Sequence, residues 1–187
     1  MTFDEIHQRL SAKFAGLPAL APANKDPFLV VPAADIVEIC RHLKDDPDLA
    51  FDCLMNLSAV DWPKRNQIDV VYHFWSYSKR HSFILKCQLD RAKPEIASVE
   101  SVWKAADWLE REQYDLLGVT FTGHPDLRRI MLPDDWVGFP LRKDYKEQAE
   151  WRNITTTREN SLEGYVRLDE FKKKAAEAAA PKKETLQ

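Results

Sequence analysis

Few cysteines, few glycines and no long apolar run set the first limits on this chain of 187 residues. Its three cysteines, Cys40, Cys53 and Cys87, are dispersed, and no pair has C-x-x-C spacing. Zinc and iron–sulfur centres take closely spaced thiolates, so a centre built by this chain alone is disfavoured. An odd, scattered set of thiols suits a reducing compartment and small buried side chains. With five glycines, a loop that cradles nucleotide phosphates is hard to build, and no G-x-G-x-x-G, Walker or G-x-S-x-G segment occurs. No stretch approaches the roughly 18 apolar residues of a membrane span, so any link to a membrane is expected to run through partners. The formal net charge is −3, which lacks the basic excess of a nucleic-acid binder. The opening M-T-F-D-E-I-H-Q-R-L has neither the basic start and apolar core of a secretory signal nor the Arg-rich character of a transit peptide.

What is present reads as one α+β domain with appendages. Phe3, Ile6, Leu10 and Phe14 predict a helix over 3–15, and Pro18, Pro22 and Pro27 a loop after it. Residues 28–31 predict a brief strand, and Ala33 to Lys44 a helix ended by the D-D-P-D run. Segments 53–60, 68–77 and 83–90 read as three strands joined by short polar turns, which favours antiparallel neighbours. The second is apolar on both faces and is expected at the sheet's centre, covered on both sides. Ser101 to Leu117 predicts a long helix ended by Gly118. Beyond it, recurrent Gly and Pro leave room only for a short strand near Arg129 to Leu132. The expected fold is a small mixed or antiparallel sheet of about four strands with packed helices and an irregular C-terminal arm. The expected division is an N-terminal helix and linker (1–27), a core (28–122), a docking arm (123–150) and a polar tail (151–187). The Lys/Ala-rich stretch 170–187 is expected to fray or be disordered.

The densest polar pattern runs from Trp108 to Met131, W-L-E-R-E-Q-Y-D-L-L-G-V-T-F-T-G-H-P-D-L-R-R-I-M. In it Glu110, Arg111, Glu112 and Asp115 share a helix. Paired carboxylates could hold a metal or act as acid and base. Yet helical i,i+4 spacing brings both Asp107 and Asp115 to Arg111, so a structural charge network centred on Arg111 is the stronger reading. His124, in G-H-P-D, lacks further ligands at suitable spacing, and is expected to bond to backbone or to Asp126 and fix its loop. Arg128, Arg129, Arg142 and Lys143 form two basic doublets in a Pro/Gly-rich segment, read as a docking strip for an acidic partner. With Asp126 and Trp136 they make the expected interface, Trp136 as its anchor. Trp103 and Trp108, five residues apart, cannot share one narrow helix face: one is expected in the core, the other under a loop or partner.

The spacing Glu110-Arg111-Glu112, Asp115, His124, Arg128 resembles the signature of the 30-kDa subunit family of respiratory complex I, the C-type subunit of bacterial NADH:quinone oxidoreductase. The segment L-P-D-D-W-V-G-F-P-L-R-K-D-Y extends the match, although Phe139 stands where that family commonly has His and Lys146 where it has Pro. The resemblance implies a non-redox subunit of the complex's hydrophilic arm, held by partners at the cytoplasmic face of the bacterial inner membrane. It would brace the quinone-binding module beside the 49-kDa-type subunit and the quinone-proximal iron–sulfur subunits. NADH, FMN, iron–sulfur clusters and quinone would belong to partner subunits, with none bound by this chain. Related membrane-bound hydrogenases and other dehydrogenases carry homologous subunits. From another class, Glu110, Glu112 and His124 could serve a small carboxylate-dependent hydrolase.

Overall fold

The computed structural model describes residues 1–14, 16–18 and 26–156. Position 15 of the expected first helix, Pro22 and the stretch 170–187 lie outside them. The chain divides into two compact units, Met1–Lys146 and Glu147–Gln187.

The first unit is built on a mixed four-stranded sheet in the order β1-β4-β3-β2: β1 is Leu29–Val30, β2 Cys53–Trp62, β3 Gln67–Ser76 and β4 His81–Asp90. The three long strands form an antiparallel meander, as the short polar turns require. Asn66 and Arg80 take positive φ at the two turns. Register places Tyr72 opposite Leu57 and Leu85, and Phe74 opposite Leu54 and Phe83, giving one continuous apolar face. The short β1 adds to β4 in parallel, Leu29 opposite Leu85. β3 is interior as expected, but only one face is sealed: Val71, His73 and Trp75 on the other are half-buried.

Two amphipathic helices contribute to the core. α1 (Phe3–Lys13) starts with a capping box between Thr2 and Glu5, and buries Ile6 and Leu10. α2 (Ile36–Asp45), preceded by a 3₁₀ turn over Ala33–Asp35, buries Ile36, Ile39, Cys40 and Leu43. β5 (Glu95–Ala97) and β6 (Thr120–Thr122) pair in parallel, connected through α3 (Ala106–Leu117). Three residues each are too few to show a period in sequence, and this small sheet was not expected.

α3 begins five residues later than its periodicity suggests. Trp103 belongs to the core rather than the helix. Its indole N–H donates to the Phe51 carbonyl at 3.2 Å and its ring lies 5.0 Å from that of Phe74, so Ser101–Ala105 turn to deliver it. Trp108 is 62% exposed on the helix itself. Gly118 closes α3 at φ 74, as its position predicts. No strand forms over 129–132; Asp115 takes the backbone donors there instead. In the second unit, β7 (Glu150–Trp151) and β8 (Ile154–Thr155) make a small hairpin turned by Arg152 and Asn153 at positive φ.

Candidate functional site

The polar residues of the signature converge on α3 and on the arm that follows β6. Asp115 is the hub. Its side chain is fully buried, and one carboxylate oxygen accepts three backbone N–H groups: Ile130 at 3.0 Å, Met131 at 2.7 Å and Leu132 at 2.9 Å. The other oxygen lies 3.4 Å from Nη1 of Arg129. An irregular, partly buried backbone still needs acceptors, and one carboxylate here takes the place of a neighbouring strand.

The expected Arg111 hub does not form: among the described residues Arg111 makes no ion pair with Asp107 or Asp115. Its Nε donates to the Arg128 carbonyl at 3.3 Å, and its guanidinium stacks on Trp108 at 4.8 Å. Helical spacing allowed the pairs, but the arm's backbone takes Asp115 first. Among the described residues Glu112 receives only a 3.5 Å contact from the Gln113 amide, while Gln113 accepts the Ala59 N–H of the edge strand β2 at 3.0 Å.

Glu110 is fully buried. Ser98 donates its hydroxyl at 2.6 Å and Val99 its N–H at 2.8 Å to the carboxyl. Burial nevertheless outweighs these bonds and pushes its pKa up to about 7, with Glu100 and Asp107 adding repulsion. The His124 side chain is also fully buried: Nδ1 accepts the Asp126 N–H at 3.0 Å, and Nε2 lies 3.3 Å from the Asp107 carbonyl. Glu110 and His124 are therefore closed to solvent and Glu112 points elsewhere, so the three do not converge on an accessible hydrolytic site.

The rest of the arm is pinned at two more places. Asp61, at the end of β2, is buried and accepts a bidentate pair from Arg91 at 2.6 and 3.0 Å, plus the Lys143 N–H at 2.8 Å. Arg91 also reaches Asp144 at 2.5 Å. The guanidinium holds the Asp61 carboxyl below the usual carboxylate range. At the end of α3, Arg142 donates to the Leu117 carbonyl at 2.8 Å, and the Leu141 N–H to the Leu116 carbonyl at 3.0 Å, completing the helix C-terminus. Phe139 packs on Gly118 so closely that a Cβ there would fall 2.5 Å from the ring, and Arg129 and Arg142 both stack on it.

Of the expected docking arginines, then, Arg129 and Arg142 spend their guanidinium groups inside the molecule. Arg128 is exposed and pairs with Asp126 at 2.9 Å. Lys143 has a structural backbone and an exposed side chain. Half-buried Trp136 donates to the Tyr145 hydroxyl at 3.0 Å. Sequence reading missed Asp61, Ser98 and Arg91, whose partners here lie 12 to 82 residues away and leave no local pattern. Around the pinned arm, Met131, Val137 and Leu141 are more than half exposed.

Cys40 and Cys87 are buried in the core, where desolvation raises both, Cys87 to about 12, and keeps them protonated. Among the described residues no group of His, Cys, Asp or Glu is placed to hold a metal ion, and no helix is long and apolar enough to cross a membrane.

Comparisons with known proteins bear on the same region. The model of the family "Respiratory-chain NADH dehydrogenase, 30 Kd subunit" matches residues 29–150. The C-type subunit of NADH-quinone oxidoreductase from Moorella thermoacetica is 46% identical over 66% of this chain and 82% of its own length. The corresponding subunit of F(420)H(2) dehydrogenase from Methanosarcina mazei is 47% identical over 58% of this chain and 68% of its own. Among solved structures, a trypsin-resistant fragment of Nqo5 matches with TM-score 0.58 and 27% identity, over 68% of this chain and 100% of that one. A chain of the membrane-bound sulfane sulfur reductase, an archaeal respiratory membrane complex, matches with TM-score 0.66 and 25% identity, over 84% and 95%. The matched span holds both the sheet and the whole of the Asp115-centred arm, and this chain belongs to the family of the 30-kDa subunit of respiratory-chain NADH dehydrogenase.

Proposed function

We propose that this chain is a non-redox structural subunit of the peripheral arm of a proton-translocating NADH:quinone oxidoreductase. It braces the quinone-binding module against the 49-kDa-type subunit and the quinone-proximal iron–sulfur subunits, at the cytoplasmic face of a bacterial inner membrane. NADH, FMN, iron–sulfur clusters and quinone are held by those partners. The observation that carries this reading is the arm from Gly123 to Lys146. Buried charges at Asp115 and Asp61 hold an irregular backbone in one path, while Met131, Val137 and Leu141 face outward. A segment so constrained, which presents three large apolar side chains among exposed charges, is pre-organised to meet another protein surface.

A second reading keeps the bracing role and changes the electron donor. The F(420)H(2) dehydrogenase relative is about equal to the NADH-linked one in identity, over a shorter span of both chains. Affinity capture of the full chain from host membranes, with identification of the co-purifying subunits, separates the two. A 49-kDa-type subunit, quinone-proximal iron–sulfur subunits and an NADH-oxidising module are expected. Another electron-input module would support the second reading. Stoichiometric iron or flavin on the separated chain would overturn both.

A further inference from the structure

We infer that Glu110 and His124 form one proton-binding pair that governs how firmly the loop from Gly123 to Arg128 is held against α3. The inference does not depend on which partner the arm meets. Glu110 and Asp107, one turn apart on α3, both approach the same imidazole nitrogen. Nε2 of His124 lies 3.4 Å from Oδ1 of Asp107, 3.3 Å from its carbonyl and 4.0 Å from Oε2 of Glu110. Nδ1 accepts the Asp126 N–H, so the imidazole is neutral and carries its proton on Nε2. An imidazolium would aim a second N–H at the Asp126 N–H and break that bond. The pair's additional proton therefore sits on the Glu110 carboxyl.

The surroundings make that proton matter. The groups facing Glu110 are the Ser98 hydroxyl, the Val99 N–H and Glu100 from the segment before α3, Asp107 from α3 and His124 from the loop. From the core, the Cys40 thiol on α2 and the Tyr72 hydroxyl on β3 lie within electrostatic reach. Glu100 is itself paired with Lys104. Among the described residues no ammonium or guanidinium approaches Glu110 within ion-pair distance. Loss of its proton to solvent leaves a buried anion opposite the Asp107 carboxylate, with a neutral imidazole between them. Burial of such an anion is costly, and admission of water by lifting the loop relieves it. Gly123, at φ 81 with open space around it, begins the loop, and no packed side chain opposes its movement at that point. The transition falls near neutrality, because burial has moved the carboxyl up to about 7.

The test is carried out on the full chain by NMR. The Glu110 side-chain carboxyl, assigned through its own Cγ protons, is followed from pH 5 to 9 together with exchange of the His124 and Asp126 amides. Exchange rates are corrected for intrinsic base catalysis. The carboxyl should titrate near 7, and the two amides should lose protection by about tenfold or more between pH 6 and 8. Glu110→Gln should abolish that loss, its amides staying protected throughout. A carboxyl midpoint below pH 5 overturns the proton-binding pair. A midpoint near 7 with unchanged amide protection overturns its control of the loop. Both readouts exist in the unmodified chain, so a poorly folded variant does not decide the matter.

Discussion

Replacing Asp115 with Ala should damage this protein far more than replacing Arg111, although the two sit one helical turn apart. One Asp115 oxygen receives the Ile130, Met131 and Leu132 N–H groups at 3.0, 2.7 and 2.9 Å. Hydrogen bonds to a charged acceptor contribute about 1.5–3 kcal/mol each. The three share one oxygen and are not additive. Residues 130–132 are only partly buried, so freed N–H groups can turn to water. A loss of about 3–4 kcal/mol is expected, a large part of the stability of an ordinary domain. Arg111→Ala removes one long bond of 3.3 Å and a stack on an exposed tryptophan, for about 1 kcal/mol. Asp115→Asn keeps the shape but loses the charge, and should fall between the two. Urea unfolding measures the totals, and hydrogen exchange at residues 130–132 shows where the loss is taken. An Arg111 loss equal to or above that of Asp115, or unchanged protection at 130–132 in Asp115→Ala, would refute a carboxylate-centred arm.

Charge reversal separates two arginines of the expected docking strip: Arg128→Glu should leave melting within about 2 °C of the parent while lowering incorporation into the complex. Arg142→Glu should instead lower the melting temperature of the free subunit, because its guanidinium completes the end of α3. Equal behaviour of the two in melting would contradict this division. Gly118→Ala combines a left-handed backbone with a Cβ set 2.5 Å from Phe139, and should cost about 2–3 kcal/mol in urea unfolding, partly restored by Phe139→Leu. Arg91→Ala strands the buried Asp61 carboxylate and should cost on the order of 3 kcal/mol at pH 7. The folded-state pKa of Asp61 is depressed, so the stabilisation is present above its unfolded value and lost as pH falls through the folded one. The gap between parent and variant should therefore close in acid, and a gap that widened there would be the wrong sign.

Much of this protein is written locally. The amphipathic spacing of α1 and α2, the alternation along β4 and Gly118 past the end of α3 each depend on a few neighbouring residues, and each was legible from them. So was the polar spacing from Glu110 to Arg128, which marks the family before any geometry is known. Periodicity could not say which charge meets which. Helical spacing offered Asp115 to Arg111, but three backbone donors 15 to 17 residues away compete for the same carboxylate and win, because they have no other acceptor there, whereas the Arg111 guanidinium has the Arg128 carbonyl and the Trp108 ring to turn to. The same reason turns 129–132 into an irregular strap instead of a strand, and draws Arg142 inward to the end of α3. Asp61 meets Lys143 across 82 positions and Arg91 across 30, distances over which no sequence window carries information. Composition, period and motif spacing determined the three long strands, the first two helices and the family, whereas the small β5–β6 sheet and the pairing of buried charges were decided only when tertiary packing brought remote backbone within reach.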